Sequence, residues 1–389
     1  MSWDMIIDQQ RVKKVLQSSL QHQRLAHAYL FSGPEGAGKS AAAIEIAKIA
    51  NCKYSAAAGA CGKCSSCIKF HHLQHPNVNL IFALPVGKNE KYGDSPTAKL
   101  PDEEIALIQE EIRLKAKNLY HRIQIPGANT IKINSVREMR KESSMTMFGE
   151  GKRVFIVVDA EQLNDDAANA LLKTLEEPHD NTLLILTTSQ PERLLPTIIS
   201  RCQHLRFDPL PEEEIAHALQ SREGLRKDEA EGAARMANGS YRYALELRGT
   251  KIHERRSEAI NFVRIALYKS HQELLAEIER ITSAYEKHEI EEFLQFMESW
   301  FRDAMLITLG TRQLVLHSID ETVEKFSHHH PDIEYPAVFE ITGRAISLVG
   351  KNVYIPLILI NLALELRKLV IPATNKKHKP FQSAKEIPM

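Results

Sequence analysis

The chain has 389 residues, 43% of them hydrophobic, and sets 50 basic side chains against 50 acidic ones. That length exceeds one ordinary core and calls for two or three domains. Balanced charge excludes a global field that draws the chain to nucleic acid, so a DNA contact must come from a local patch or from partner subunits.

At the N-terminus, Asp4, Asp8, Gln9 and Gln10 stand where a signal peptide needs an apolar core. Residues 1–25 read as one helix, with Val12, Val15, Leu16 and Leu20 on a single apolar stripe. Ala28-Tyr29-Leu30-Phe31 then reads as a short buried strand, and Ala41 to Ala50 is rich in helix formers. Between them Gly33-Pro34-Glu35-Gly36-Ala37-Gly38-Lys39-Ser40 fits G-x-x-x-x-G-K-[ST] in full. A strand, a glycine turn and a helix start make a phosphate cradle. Gly36 and Gly38 let backbone N–H groups turn inward, and the helix N-terminus adds partial positive charge. In this pattern Lys39 reaches the β- and γ-phosphates and Ser40 ligates Mg²⁺.

Four of the five cysteines follow as Cys52-x8-Cys61-x2-Cys64-x2-Cys67, with Cys202 alone further on. Such clustering without a signal peptide points to a metal and away from disulfides. Four thiols at this spacing close a tetrahedral zinc site, structural because no position is left for water. His71, His72 and His75 are then surface or packing residues. From Val86 to about Gly127 the composition turns polar, first an exposed loop and then one charged helix from Glu103 to Tyr120. This reads as a solvated insertion.

Ile131-Lys132-Ile133 opens a new regular stretch, followed by a helix through Val136, Met139 and Arg140. Val154-Phe155-Ile156-Val157-Val158-Asp159 is an apolar run ending in a carboxylate, the mark of a central parallel strand. Its Asp159 falls where the Mg²⁺ of the glycine loop belongs, because α/β sheets bind ligands at the carboxyl ends of strands. A helix from Asp165 to Glu177, capped by Asn164 or Asp165 and stopped by Pro178, precedes a strand from Thr182 to Thr188. The alternation predicts a doubly wound α/β domain over 1–208, with the cysteine module at 52–67 and the insertion at about 86–127. Pro209 and Pro211 mark a boundary to short helices over 209–249. Residues 250–375 read as an all-α domain, with Phe293, Leu294, Met297, Phe301, Ala304 and Met305 as its clearest stripe. His328-His329-His330, followed by Pro331, reads as loop, and 376–389 as a basic disordered tail. The most apolar late run, Val353 to Ile360, contains Pro356 and falls short of the roughly 18 residues of a membrane span. A cytoplasmic protein without a membrane partner is expected.

Asp165 to Pro178 (DDAANALLKTLEEP) and Ser200-Arg201-Cys202 resemble bacterial DNA polymerase III clamp-loader subunits of the AAA+ family. His27 to Gly33, the cysteine spacing and His75-Pro76 agree, and the likeness, strongest to the delta prime type, covers about the first 245 residues. It implies an AAA+ RecA-like P-loop domain with a Cys₄ zinc module, a helical lid and an all-α collar. It further implies a hetero-pentamer with other clamp-loader subunits that opens the sliding clamp and places it on primed DNA. On this pattern Gly33 to Ser40 hold ATP, Asp159 the Mg²⁺, and Cys52, Cys61, Cys64 and Cys67 the Zn²⁺. Thr188 is near the polar sensor after the fourth strand, Arg242 of Gly-Ser-x-Arg matches the second sensor, and Arg201 matches the arginine finger given to a neighbour's nucleotide.

The sequence departs from hydrolysing members at one position. They carry Asp-Glu, whereas here the pair is Asp159-Ala160, and Glu161 comes one residue late, turned away by about 100° on a helical backbone. The resulting expectation is a subunit that binds ATP without cleaving it and donates Arg201 in trans. Two alternatives stand beside it: a motor subunit with its own ATPase, and a zinc-containing DNA-binding repair ATPase. The last needs a basic, aromatic-rich surface, and only 6% of residues are aromatic, with no clustered stripe.

Overall fold

A computed structural model describes residues 2–22, 24–55, 59–91, 93–145, 151–179, 181–247, 251–310, 321–351 and 353–371. The tail read over 376–389 and the Gly249 boundary lie outside them. The chain divides into two compact units, Met1–Glu246 and Leu247–Met389.

In the first unit a 3₁₀ turn at Ser2–Met5 precedes α1 (Gln10–Gln21). The single helix expected over 1–25 is therefore corrected to two pieces. Asp8 and Gln9, between the two pieces, both adopt left-handed φ, 45° and 56°, which a continuous helix does not allow. The Gln9 side chain is the reason the bend holds: its Nε2 donates to the carbonyls of Ala37 and Asp208. Then come β1 (Ala28–Ser32), α2 (Lys39–Ala50), α3 (Ser65–Phe70), β2 (Val78–Ile81), α4 (Asp102–Lys117), α5 (Ile133–Ser143) and β3 (Arg153–Val157). They are followed by α6 (Asp165–Glu176), β4 (Thr182–Thr188), α7 (Pro196–Ile199), β5 (Gln203–Arg206), α8 (Glu212–Glu223), α9 (Lys227–Met236) and α10 (Tyr241–Glu246). Ile131, expected to open a regular stretch, makes only an isolated parallel bridge to Leu163 before α5 begins.

The five strands pair in parallel in the order β2-β3-β4-β1-β5. Side chains alternate across the sheet and build a core on each face. Tyr29, Phe31, Val154, Ile156 and Ile185 pack on one face with Val12 and Leu16 of α1 and Ile44 and Ile46 of α2. Leu30, Phe155, Val157, Leu184 and Leu186 pack on the other with Met139 of α5 and Leu171 and Leu175 of α6. Strand β4 lies between β1 and β3, with Ser32 opposite Thr188 and Val157 opposite Leu186. The glycine loop, Thr188 and Asp159 thus emerge side by side at the carboxyl edge.

The insertion is not the solvated excursion the sequence predicts. Leu100, Ile108 and Ile125 join the first core, with Ile105 and Ile112 of α4 packed against it; most charges of α4 face out, and Lys115 is buried.

The second unit is all-helical among its described residues: α11 (Lys251–Tyr268), α12 (His271–Ala284), α13 (Lys287–Thr308), α14 (Glu321–His329), α15 (Tyr335–Gly350) and α16 (Ile355–Val370). Phe293, Leu294, Met297, Phe301 and Ala304 of the predicted stripe are buried, with Trp300 and Phe301 packed on Phe326. The histidine tract expected as loop continues α14 through His329, whose Nδ1 lies 2.7 Å from the Lys325 carbonyl; the turn ends only before Pro331. No described helix is long and apolar enough to cross a membrane.

Candidate functional site

The glycine loop is a tight cradle. Gly33, Gly36 and Gly38 adopt φ of 143°, 76° and 97°, so the backbone takes turns that side chains oppose. At Gly36 a Cβ would also fall 2.0 Å from Ser240 Oγ and 3.1 Å from Arg242 Cβ. Gly38 is the N-cap of α2, whose first turn has neither a side-chain cap nor an acidic residue, leaving its N–H groups directed at the loop. Ala37 is buried beneath it, Ser40 is half-buried in the first turn, and Glu35 is exposed at the rim. Lys39 is buried, and its Nζ donates to the carbonyls of Gly33 at 2.7 Å and Pro34 at 2.8 Å. Burial lowers its pKa, opposed by the charges of Asp159, Glu35 and Glu161.

Asp159 sits beyond β3 in a left-handed turn, φ 53°, with its N–H donating to Thr187 Oγ1. Burial raises its pKa, and the Arg122 guanidinium works against that rise. Thr188 is buried; its carbonyl accepts from Gly33 N–H at 3.2 Å and its Oγ1 from Gln190 N–H at 3.1 Å. Arg242, some 200 residues beyond the loop in sequence, pairs with Glu35 and with Glu246 at 2.8 Å. The structure therefore gathers Gly33 to Ser40, Asp159, Thr188 and Arg242 around one mouth.

Arg201 is placed elsewhere. It follows α7, half-exposed, paired with Glu176 at 2.8 Å and donating to the Thr197 carbonyl. Ala160 is fully buried. Glu161, expected to turn away, stays at the carboxyl edge: its Oε1 accepts from Ser189 N–H and Oγ at 3.1 and 2.7 Å. Its charge acts on both Lys39 and Asp159. The 3₁₀ turn at Ala160–Gln162 brings it back, which an α-helical backbone would not.

Two site neighbours escaped the sequence reading because they lie in the insertion. Arg122 bridges Glu35 at 2.7 Å and Asp159 at 3.4 Å. Tyr120 is buried, accepts from Ile7 N–H at 2.8 Å, meets Tyr241 edge-on at 4.9 Å, and has its hydroxyl 3.0 Å from where a Cβ on Gly38 would stand. The only local signal was an aromatic and two basic groups, Tyr120-His121-Arg122, at the end of a charged helix.

The cysteines come together as expected. Sγ atoms of Cys52, Cys61, Cys64 and Cys67 all lie within 4.8 Å of one another, with Cys52–Cys64 and Cys61–Cys67 each at 4.0 Å. A tetrahedron of Zn–S bonds near 2.3 Å has edges of about 3.8 Å, so the four thiols fit the ion. Backbone N–H groups of Cys61, Cys64 and Cys67 donate to neighbouring Sγ atoms, favouring the thiolates a metal needs. His75 is buried and engaged in packing. Its Nδ1 accepts from Asn77 N–H, which leaves Nε2 to donate to Ser66 Oγ, and the ring stacks on Phe70. His71 and His72 are exposed.

A sequence profile described as "DNA polymerase III, delta subunit" matches residues 8–211, just over half the chain. The chain is 29% identical over 314 residues to DNA polymerase III subunit delta' of Bacillus subtilis, spanning 79% of this chain and 80% of that protein. It is 32% identical over 244 residues to subunit delta' of Pseudomonas aeruginosa, spanning 61% of each. To subunit tau of Bacillus subtilis it is 28% identical over 251 residues, 62% of this chain but 36% of that one. Among solved structures, a DNA polymerase III gamma subunit-related protein of Thermotoga maritima aligns over 93% of this chain and 99% of its own, with 14% identity and a TM-score of 0.39.

Proposed function

The chain belongs to the DNA polymerase III delta-subunit family, and from that premise we propose that it is a delta prime-like subunit of the clamp loader. It joins other loader subunits in a hetero-pentamer that opens the sliding clamp and sets it on primed DNA in replication. Residues 209–249 act as its lid and 250–375 as the collar that holds the ring together. It binds ATP with Mg²⁺: the N–H groups of Gly33 to Ser40 and the Lys39 ammonium face the phosphates, Ser40 and Asp159 the metal, and Thr188 and Arg242 the γ-phosphate side. Zn²⁺ on Cys52, Cys61, Cys64 and Cys67 staples the module after α2 without taking part in chemistry.

The observation that carries the non-hydrolysing part is Ala160, a buried methyl beside Asp159 where a water-activating carboxylate is needed. Arg201 supplies chemistry to a neighbour instead, since a half-exposed guanidinium in a solvent-exposed ion pair can exchange Glu176 for a phosphate. In a reconstituted loader with clamp and primed DNA, Arg201→Ala should lower ATP turnover by about 10³–10⁵, as expected of a finger in trans, while Lys39→Ala changes it little. Robust turnover by the isolated chain would overturn this reading.

One observation favours a second reading, that of a subunit hydrolysing its own ATP. Glu161 stays at the carboxyl edge with an oxygen, Oε2, buried and without a hydrogen-bond partner among the described residues. If that oxygen orients water, Glu161→Gln abolishes turnover by the isolated chain; if turnover is absent to begin with, the second reading falls.

A further inference from the structure

We infer that Arg122 is a built-in placeholder cation: it holds the carboxylate meant for Mg²⁺ and releases it, with the turn that carries it, when Mg²⁺·ATP arrives. This rests on the nucleotide reading above and adds to it a residue outside every nucleotide motif of the sequence.

The guanidinium spans two carboxylates, Glu35 on the glycine loop and Asp159 after β3. Arg122 Nε lies 3.4 Å from Asp159 Oδ2, and a divalent cation on that carboxylate repels a guanidinium at such range, so the two compete for Asp159. Glu35 keeps a partner either way, because Arg242 pairs with it from α10. The arrangement can therefore exchange one cation for another at Asp159 while the loop rim stays neutralised.

The turn bearing Arg122 is constructed to present it. Lys115, fully buried in α4, donates through Nζ to the carbonyls of Leu119 at 2.7 Å and His121 at 2.6 Å, on either side of Tyr120. Glu111 Oε2 accepts from Gln124 N–H and lies 2.9 Å from His121 Nε2, and Asn118 Oδ1 accepts from Tyr120 N–H. A buried lysine is costly, and this one makes sense as the clamp that fixes residues 119–122. Tyr120 then seats against Gly38 and beneath Ile7 N–H, so the same short turn touches both the phosphate cradle and the metal side. Displacing Arg122 from Asp159 removes one contact of a turn whose Tyr120 also seats against the loop, which gives the insertion a way to report whether the site is filled.

The test measures binding of a fluorescent ATP analogue to the full-length chain, with Mg²⁺ and with EDTA, for wild type, Arg122→Ala and Arg122→Gln. Both variants should bind the Mg²⁺ complex about three- to tenfold more tightly, the size of one or two half-exposed ion pairs, and the metal-free analogue with nearly unchanged affinity. In the wild type, Mg²⁺·ATP should speed amide hydrogen exchange over 118–124, whereas ATP with EDTA should not. Unchanged or weaker binding of the Mg²⁺ complex by both variants overturns the inference, weaker binding marking Arg122 as a phosphate ligand. Absence of nucleotide binding in wild type and variants alike overturns the nucleotide reading itself and this inference with it.

Discussion

Glu45 lies on the inner side of α2, 1% exposed, with Oε1 lacking a hydrogen-bond partner among the described residues and the Lys48 ammonium 3.7 Å away. Burial pushes its carboxyl up to about 7. The folded state therefore holds a proton that the unfolded state gives up near pH 4.5, and stability is lost as pH rises from there to 7. Glu45→Gln keeps the shape and removes the titration. Wild type should lose up to about 3 kcal/mol relative to the variant across that window, read from denaturant melts at several pH values. Parallel pH curves would show the carboxyl to be solvated. Gly36 gives a second expectation at this scale. A methyl there meets Ser240 and Arg242 under a left-handed φ, so Gly36→Ala should cost about 1–3 kcal/mol and separate Arg242 from Glu35, lowering nucleotide affinity along with the melting temperature. The glycine itself was legible in the motif; what it makes room for was not, since Ser240 and Arg242 lie about 200 residues away in the chain.

Among the elements, the cysteine module tests most directly. Metal analysis should find one zinc per chain, and Cys67→Ser or chelation should remove hydrogen-exchange protection across 52–55 and 59–67 while circular dichroism of the sheet persists. Loss of the whole fold on chelation would mean that the module is more than a staple. This cluster was readable because its four thiols are local in sequence and carry the chemistry in their spacing. The two edge strands were not. β2 is four residues of mixed burial with Asn79 inside it, and β5 exposes all but Leu205, so neither shows the apolar run of β3 or β4. Edge strands owe their pairing to a neighbour's backbone, which leaves little trace in side-chain pattern. The insertion misled for a related reason: a charged helix and a helix with one narrow apolar stripe have nearly the same composition, and only Ile108 and its neighbours against the sheet separate them.

For the whole molecule, the division at 246/247 leads to a fragment experiment. Residues 1–246 expressed alone should melt as one unit, bind zinc and nucleotide as proposed, and, if residues 250–375 are the proposed collar, fail to enter the loader pentamer on gel filtration. Assembly by the fragment would move the oligomerising surface into the first unit. Residues close together in the chain are enough to specify the glycine loop, the thiol cluster, the central strands and the helical second half. Their signals are periodicity and spacing over a few residues, set by backbone geometry. What faces the loop was settled only by the folded chain: Arg242 on Glu35, Arg122 on Glu35 and Asp159, and Glu161 turned back to Ser189. Those contacts depend on where the parallel sheet brings its carboxyl edge and where the insertion folds over it, distances no local pattern encodes.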